Sequence, residues 1–282
     1  MLVPSRGEGI LRTAILRGFE NTLLERISCI AEEHVAIALS RGGAKKTYHH
    51  RDPNEDACGF AFGEHGTLLV VADGHSGCDA SQIAVEYVLE HLAPVLIGGE
   101  DPGVALAPEQ WQTRALDHVL AVHGAILQQA RIEAEHPSRT TLAIAFTRTA
   151  DDRIGWINAG DSLLYRDGGD APTPLETATE KTIYIGSPRD DRERLAQGVR
   201  AGVAPLAGAR ALVLASDGLS EEGIGVEDPA NAVREALGDA ARAAHRELHP
   251  LEAARGLAEI ANRSHAEQKA GDNIATAVAW LA

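Results

Sequence analysis

Two short segments of the chain are apolar at every position, and each is followed directly by an acidic turn. Leu68–Ala72 runs into Asp73-Gly74. Leu212–Ala215 runs into Ser216-Asp217-Gly218. A strand that is apolar on both faces is covered on both sides. Each segment therefore predicts a central strand whose end carries a carboxylate to the margin of the protein interior.

The remaining elements are predicted from apolar runs between Gly-containing turns and from apolar residues at helical spacing. The predicted strands are 35–39, 57–62, 67–72, 140–148, 153–159, 163–166, 209–215 and 273–281. The predicted helices are 81–92, 108–133, 229–248 and 251–265. Strands and helices come in blocks and do not alternate regularly, so we expect an α+β fold with antiparallel sheets and not a doubly wound parallel sheet.

The start of the chain has a different pattern. Apolar residues recur at helical spacing from Ile10 to Ile30, with several arginines and glutamates between them. This pattern predicts an amphipathic N-terminal helix, an extension over residues 1–30, that docks on its own domain or on a partner. A helix lying on a membrane surface is the less common alternative. A single domain is expected over residues 31–282.

Composition and charge exclude several classes of protein. Lys and Arg total 26 against 41 Asp and Glu, a formal net charge of −15 without a dense basic patch, so no nucleic-acid partner is expected. No apolar run reaches the roughly 18 residues of a transmembrane segment, and no secretion signal is seen. Cys29, Cys58 and Cys78 lack metal-ligand spacing and are expected to be reduced thiols in a cytoplasmic protein.

Further acids stand at turns beside the predicted strands. They lie in Asn54-Glu55-Asp56-Ala57, Gly160-Asp161-Ser162 and Gly271-Asp272-Asn273. Taken singly, an Asp next to Gly is usually only a turn. Carboxylates that converge at the ends of buried strands would repel one another unless cations lay among them. Because these ligands are oxygens and not thiolates, the expected ions are Mg²⁺ or Mn²⁺.

From about Val35 to Leu281, the sequence resembles the metal-dependent protein phosphatases of the protein phosphatase 2C (PPM) type, in particular their bacterial members. The resemblance rests on six motifs in the family's order: Arg51 to Ala57, Asp73-Gly74-His75-Ser76-Gly77, Thr140-Thr141-Leu142, Gly160-Asp161-Ser162, Ala215-Ser216-Asp217-Gly218 and Gly271-Asp272-Asn273-Ile274. It implies a four-layer α-β-β-α sandwich, in which two antiparallel sheets are flanked by helices, and a phosphatase domain over residues 31–282.

The resemblance also implies a set of metal ligands. Asp73 would bridge two metal ions, and Gly74 would offer its backbone carbonyl. Asp217 and Asp272 would complete the coordination of the second ion. The pair Glu55-Asp56 would bind the ions directly or hold their waters. Such oxygen ligands suit Mg²⁺ or Mn²⁺.

Bacterial members of the family often hold a third ion. Its expected ligands here are Asp161, Asp217 and Glu221, where many relatives have Asp in place of Glu221. An equally weighted alternative for Glu221 is an acid that is favoured at a helix N-terminus. Arg51 would bind the substrate phosphate through its planar fork, and His75 would protonate the leaving serine or threonine oxygen.

The implied activity is metal-dependent hydrolysis of phosphoserine and phosphothreonine in proteins, by attack of a metal-bridging hydroxide. The expected partners are phosphorylated proteins, and the phosphatase would oppose a Ser/Thr kinase. The alternative is an inactive pseudophosphatase that binds phosphoproteins as a regulatory module. Leu163 stands where the family usually has Arg, and the family's substrate-side flap is hard to recognise between residues 172 and 205. Substrate preference is therefore not implied.

Overall fold

The computed structural model describes residues 11–98, 107–133, 138–150, 152–176 and 182–281. Its strands are Arg12–Arg17 (β1), Ile27–Glu32 (β2), Val35–Ser40 (β3), Ala57–Gly63 (β4), Gly66–Ala72 (β5), Gly74–His75 (β6), Arg139–Thr140 (β7), Leu142–Arg148 (β8), Arg153–Ala159 (β9), Leu163–Asp167 (β10), Pro172–Pro174 (β11), Val199–Pro205 (β12), Ala211–Ala215 (β13) and Ile274–Trp280 (β14). Its helices are Asp79–Tyr87 (α1), Ala93–Ile97 (α2), Pro108–Glu133 (α3), Arg192–Gly198 (α4), Pro229–Ala240 (α5) and His249–Gln268 (α6).

Two six-stranded antiparallel sheets form the middle of the protein. The first has the order β1-β4-β5-β8-β9-β12, and the second has the order β11-β10-β13-β14-β3-β2. Helices α1, α2 and α3 pack on the outer face of the first sheet, and α5 and α6 pack on the outer face of the second. The α+β prediction and the four-layer sandwich implied by the resemblance are both confirmed.

The doubly apolar strands occupy the positions that their sequences predict. Leu68 and Val70 of β5 pack against the helices on the first sheet. Leu69 and Val71, which point the other way, pack between the two sheets. The strand β13 has the same arrangement in the second sheet, with its residues divided between the inner layer and the layer under α5 and α6. Burying one such aliphatic side chain contributes about 1.5–3 kcal/mol to folding.

The predicted N-terminal helix is wrong. The strand β1 pairs with β4, and β2 pairs with β3, so this segment adds one strand to each sheet. Phe19 and Leu23, two members of the helical stripe, are 49% and 59% exposed. A helix would bury that stripe, whereas the strands bond to sheet edges that would otherwise be unpaired. The expected boundary at residue 30 falls within β2, and residues 1–10 lie outside the described residues.

Smaller differences concern the second half of the chain. The helix expected over 229–248 ends at Ala240, and the helix α4 and the strand β12 are not predicted. The predicted helix 108–133 has the bounds of α3. Within the described ranges, no helix is long and apolar enough to cross a lipid bilayer.

The end of β1 touches the loop that carries Glu55 and Asp56, which makes a test possible. A Cβ on Gly18 would lie 2.3 Å from the carbonyl oxygen of Asn54. Gly18→Ala should therefore displace this loop and destabilise the protein by about 1–3 kcal/mol. We expect a lower Tm in differential scanning fluorimetry.

The matched control is Gly124→Ala in α3, because a Cβ at that position would meet no atom within 4 Å. Alanine is the better helix former, so this variant should be as stable as the parent protein or slightly more stable. Equal Tm values for the parent and Gly18→Ala would contradict the described contact.

Candidate metal centre

Three of the predicted carboxylates meet at one place. Asp73 follows β5 and Asp161 follows β9, both in the first sheet, and Asp217 follows β13 in the second. One carboxylate oxygen from each of the three lies within 4.8 Å of the others. Both sheets therefore direct strand ends at the same spot, as the apolar runs before Asp73 and Asp217 predict.

Asp56, just before β4, is 1% exposed. Neither of its carboxylate oxygens has a hydrogen-bond partner among the described residues. Burial, and next the charge of Asp272, raise the pKa of Asp56 to about 7. A buried carboxylate without a donor is costly when ionised, and a cation is the partner that it lacks.

Asp73 and Asp217, two other carboxylic acids of the site, also have raised pKa values. Burial raises the pKa of Asp73 well above its ordinary value, and the charge of Asp217 adds to the shift. Burial likewise raises the pKa of Asp217, followed by the charge of Asp272. Because these shifts are upward, each carboxyl group stabilises the fold in acid, below about pH 4, and loses that contribution as the pH rises through its folded-state pKa. At neutral pH the cluster favours bound cations.

The backbone around Asp73 holds its carboxylate in place. The Asp73 N–H donates to Thr141 Oγ1 at 3.1 Å, and the Thr141 N–H donates to the Asp73 carbonyl at 2.9 Å. A Cβ on Gly74 would lie 2.0 Å from the Glu55 carbonyl oxygen, so only glycine allows this approach. The end of β5 is thereby pressed against the loop that carries Glu55 and Asp56.

Glu55 organises its own loop. Its Oε1 accepts hydrogen bonds from the N–H groups of Arg51 and Asp52, at 3.0 and 3.2 Å. Its own N–H donates to Asn273 Oδ1 at 2.8 Å. One carboxylate oxygen is thus used by the loop, and the other, Oε2, lies 3.6 Å from the ammonium of Lys46.

Lys46 and Tyr48 belong to the site, although no motif of the sequence predicts them. Lys46 Nζ lies 3.2 Å from Asp272 Oδ1, and the lysine side chain is 3% exposed. The Tyr48 hydroxyl donates a hydrogen bond to the same carboxylate. Burial acts to lower the pKa of Lys46, but the surrounding carboxylates, led by Asp272, outweigh it and raise the pKa. Lys46 is therefore a buried ammonium ion.

An open cavity of about 600 Å³ lies over the carboxylates. The described residues that line it are Tyr48, His49, Asp73, Gly74, His75, Asp161, Thr182, Tyr184, Asp217, Glu221 and Asp272. This list includes two of the chain's four tyrosines, Tyr48 and Tyr184. The cavity is large enough for a phosphorylated side chain.

His75 and Tyr184 line the cavity, and they form a stack with Arg139, which lies beside it. The ring of His75 lies 5.2 Å from that of Tyr184, and the guanidinium of Arg139 lies 4.3 Å from the same Tyr184 ring. His75 and Arg139 are cross-strand partners in the β6–β7 pair. Burial, and next the charge of Arg139, lower the pKa of His75. Arg139, which the sequence does not predict as a site residue, therefore lies beside His75, the predicted general acid.

Two other predicted residues lie at the margin. Glu221 lines the cavity, and burial followed by the charge of Asp272 raises its pKa. Arg51 is exposed, and its Cδ lies 3.4 Å from the position of a Cβ on Gly77. Neither Arg51 nor Arg139 is among the described residues that line the cavity.

The cysteines are free thiols. Cys58 and Cys78 are buried, and Cys29 is partly buried. Burial raises the pKa of all three thiols, to about 11 for Cys29 and about 12 for Cys78. Such thiols are poor nucleophiles, which agrees with a reaction that does not use them.

A family model described as Protein phosphatase 2C matches residues 44–278. No curated protein matches the chain by sequence at a significant level. Among solved structures, the serine-threonine phosphatase 2C from Toxoplasma gondii superposes with a TM-score of 0.66 at 13% identity, over 95% of this chain and 99% of that one.

Two further solved structures are similar. The serine/threonine phosphatase Stp1 from Staphylococcus aureus has a TM-score of 0.60 at 19% identity, over 93% of this chain and 96% of that one. The catalytic domain of the serine threonine protein phosphatase PstP, in complex with two manganese ions, has a TM-score of 0.55 at 21% identity, over 90% of this chain and 97% of that one. At these identities the likeness shows the fold.

Proposed function

Because the chain belongs to the protein phosphatase 2C family of protein-serine/threonine phosphatases, we propose that it hydrolyses phosphoserine and phosphothreonine esters in the cavity above Asp73. The observation that carries the proposal is the meeting of Asp73, Asp161 and Asp217 within 4.8 Å at the floor of that cavity. The substrates are phosphorylated proteins, and the phosphatase opposes a Ser/Thr kinase.

The cofactor is Mg²⁺ or Mn²⁺, bound as two ions, with a third that involves Asp161 and Glu221. Oxygen donors alone suit these hard cations, and the unpartnered oxygens of Asp56 support their presence. The residues that would hold them are Asp73, Asp217 and Asp272 with the carbonyl of Gly74, and Glu55 and Asp56 would bind directly or through water. The structural neighbour PstP holds two manganese ions. When bound, such ions activate water and polarise a phosphoryl oxygen.

Side chains in and beside the cavity supply the rest of the chemistry. His75 donates a proton to the leaving serine or threonine oxygen, which is a poor leaving group as an alkoxide. Arg139 and Arg51 are the two candidates for binding the phosphate oxygens, because a guanidinium donates two parallel hydrogen bonds to them. The complete set of acids does not favour the alternative of an inactive pseudophosphatase.

The function is tested with p-nitrophenyl phosphate. The parent protein should hydrolyse it in the presence of Mn²⁺, and the hydrolysis should stop when EDTA is added. Asp73→Asn should lower the rate by about 100-fold or more, because the central carboxylate is lost.

Asp239→Asn, an exposed acid on α5, is the matched control and should keep the parent rate. If the parent protein showed no metal-dependent turnover, the enzyme assignment would be wrong and a phosphoprotein-binding module would be favoured. An active Asp73→Asn variant would contradict the metal assignment.

The role of His75 is tested by comparing two leaving groups. His75→Gln should slow the hydrolysis of a phosphoserine peptide by about 100-fold or more, as expected for loss of a general acid. Hydrolysis of p-nitrophenyl phosphate should slow much less, because its leaving group does not need protonation. Equal losses on both substrates would refute the general-acid role and leave a positioning role.

The phosphate-binding cation is identified by comparing Arg51→Met with Arg139→Met. If Arg139 binds the phosphate, its variant should raise KM and the inhibition constant of inorganic phosphate by about tenfold, equivalent to one charge-assisted hydrogen bond. Arg51→Met should then change both constants less. The reverse order would assign the phosphate to Arg51, and no change in either variant would exclude both.

A further inference from the structure

We propose that Lys46 is an internal counter-cation of the metal centre. It offsets the buried carboxylates in the absence of bound ions, and it weakens ion binding by placing a positive charge beside their ligands. The inference rests on the proposed metal centre and adds a residue that sets its affinity.

The contacts of Lys46 fix its charge among the acids. Its Nζ is 3.2 Å from Asp272 Oδ1 and 3.6 Å from Glu55 Oε2, and 3% of the side chain is exposed. The same Nζ lies 5.2 Å from the centre of the Tyr48 ring, a distance at which a cation is attracted to the ring face. The Tyr48 hydroxyl also donates to Asp272. The ammonium is thus held from two sides and not merely directed toward solvent.

One ammonium cannot neutralise this centre. Four carboxylates of the candidate site are at most 8% exposed: Glu55, Asp56, Asp73 and Asp272. Lys46 forms ion pairs with two of these, and the oxygens of Asp56 have no partner among the described residues. The site therefore still attracts divalent cations while Lys46 is present.

Coulomb's law gives the sign of the effect. An ion bound to Asp272 lies near an ammonium that contacts the same carboxylate, and like charges repel. Removing the ammonium while keeping the apolar stem should strengthen ion binding. The same change should destabilise the protein without ions, because the carboxylates lose their internal partner.

The test uses Lys46→Met with Lys45→Met as the matched control. Lys45 is the adjacent residue and is exposed, so its variant removes the same charge outside the site. Mn²⁺ alone is the probe, and its affinity is measured by competition with a chelating indicator. Lys46→Met should lower the Kd for Mn²⁺ by roughly tenfold or more, whereas Lys45→Met should leave it within about twofold.

A second readout does not depend on activity or on bound metal. In EDTA, Lys46→Met should have a Tm lower than the parent by about 5 °C or more, and saturating Mn²⁺ should close the gap. Lys46→Arg keeps the positive charge, so its Tm in EDTA should fall less than that of Lys46→Met. If Lys46→Met does not fold in EDTA, the variant is prepared with Mn²⁺ bound and is then titrated with a chelator. Removing Mn²⁺ from the variant should require a higher chelator concentration than removing it from the parent.

The outcomes separate the two proposals. A parent that binds Mn²⁺ and a Lys46→Met variant that binds it equally or more weakly would overturn the role of Lys46 alone. A parent that binds no Mn²⁺ would overturn the metal centre itself. Tighter binding by Lys46→Met, with parental binding by Lys45→Met, supports both.

Discussion

The mutual repulsion of carboxylates buried where the two sheets end is the constraint on which the rest of the structure depends. Asp56 and Asp73 are almost fully buried, and both have raised pKa values because water has been removed from around them. Positive charge inside such a cluster stabilises its ionised form. Lys46 supplies part of that charge from the chain, and divalent cations are the chemistry that supplies the remainder.

The sandwich explains how the acids reach one point. The central strands β5 and β13 are buried on both faces, so their chain ends are the first positions where a carboxylate can approach a cavity. The layer between the sheets consists mainly of aliphatic side chains, in keeping with an aromatic content of 4%. Two sheets packed face to face lie about 10 Å apart, so strand ends from both can share one ion cluster.

Some of this is readable in the sequence and some is not. Asp73 and Asp217 could be predicted because the apolar runs before them fix both burial and the strand end. The helix expected over 10–30 failed because two strands joined by a turn can imitate helical spacing, and only pairing with β3 and β4 decides between them. Lys46 and Arg139 have no local pattern, since their importance comes from contacts with Asp272 and Tyr184, both distant in the chain.

The net charge of −15 therefore describes the sequence better than it describes the cavity. Four acidic side chains of the site are buried, and Lys46 and cations oppose their charges there. Arg139 is one of the two arginines proposed to bind the phosphate; its guanidinium packs on the Tyr184 ring and, within the described residues, forms no ion pair with a carboxylate. A cation held by an aromatic face keeps its hydrogen-bond donors for an anion. The proposed binding of phosphate thus depends on local cations and not on the overall charge, which would repel the anion.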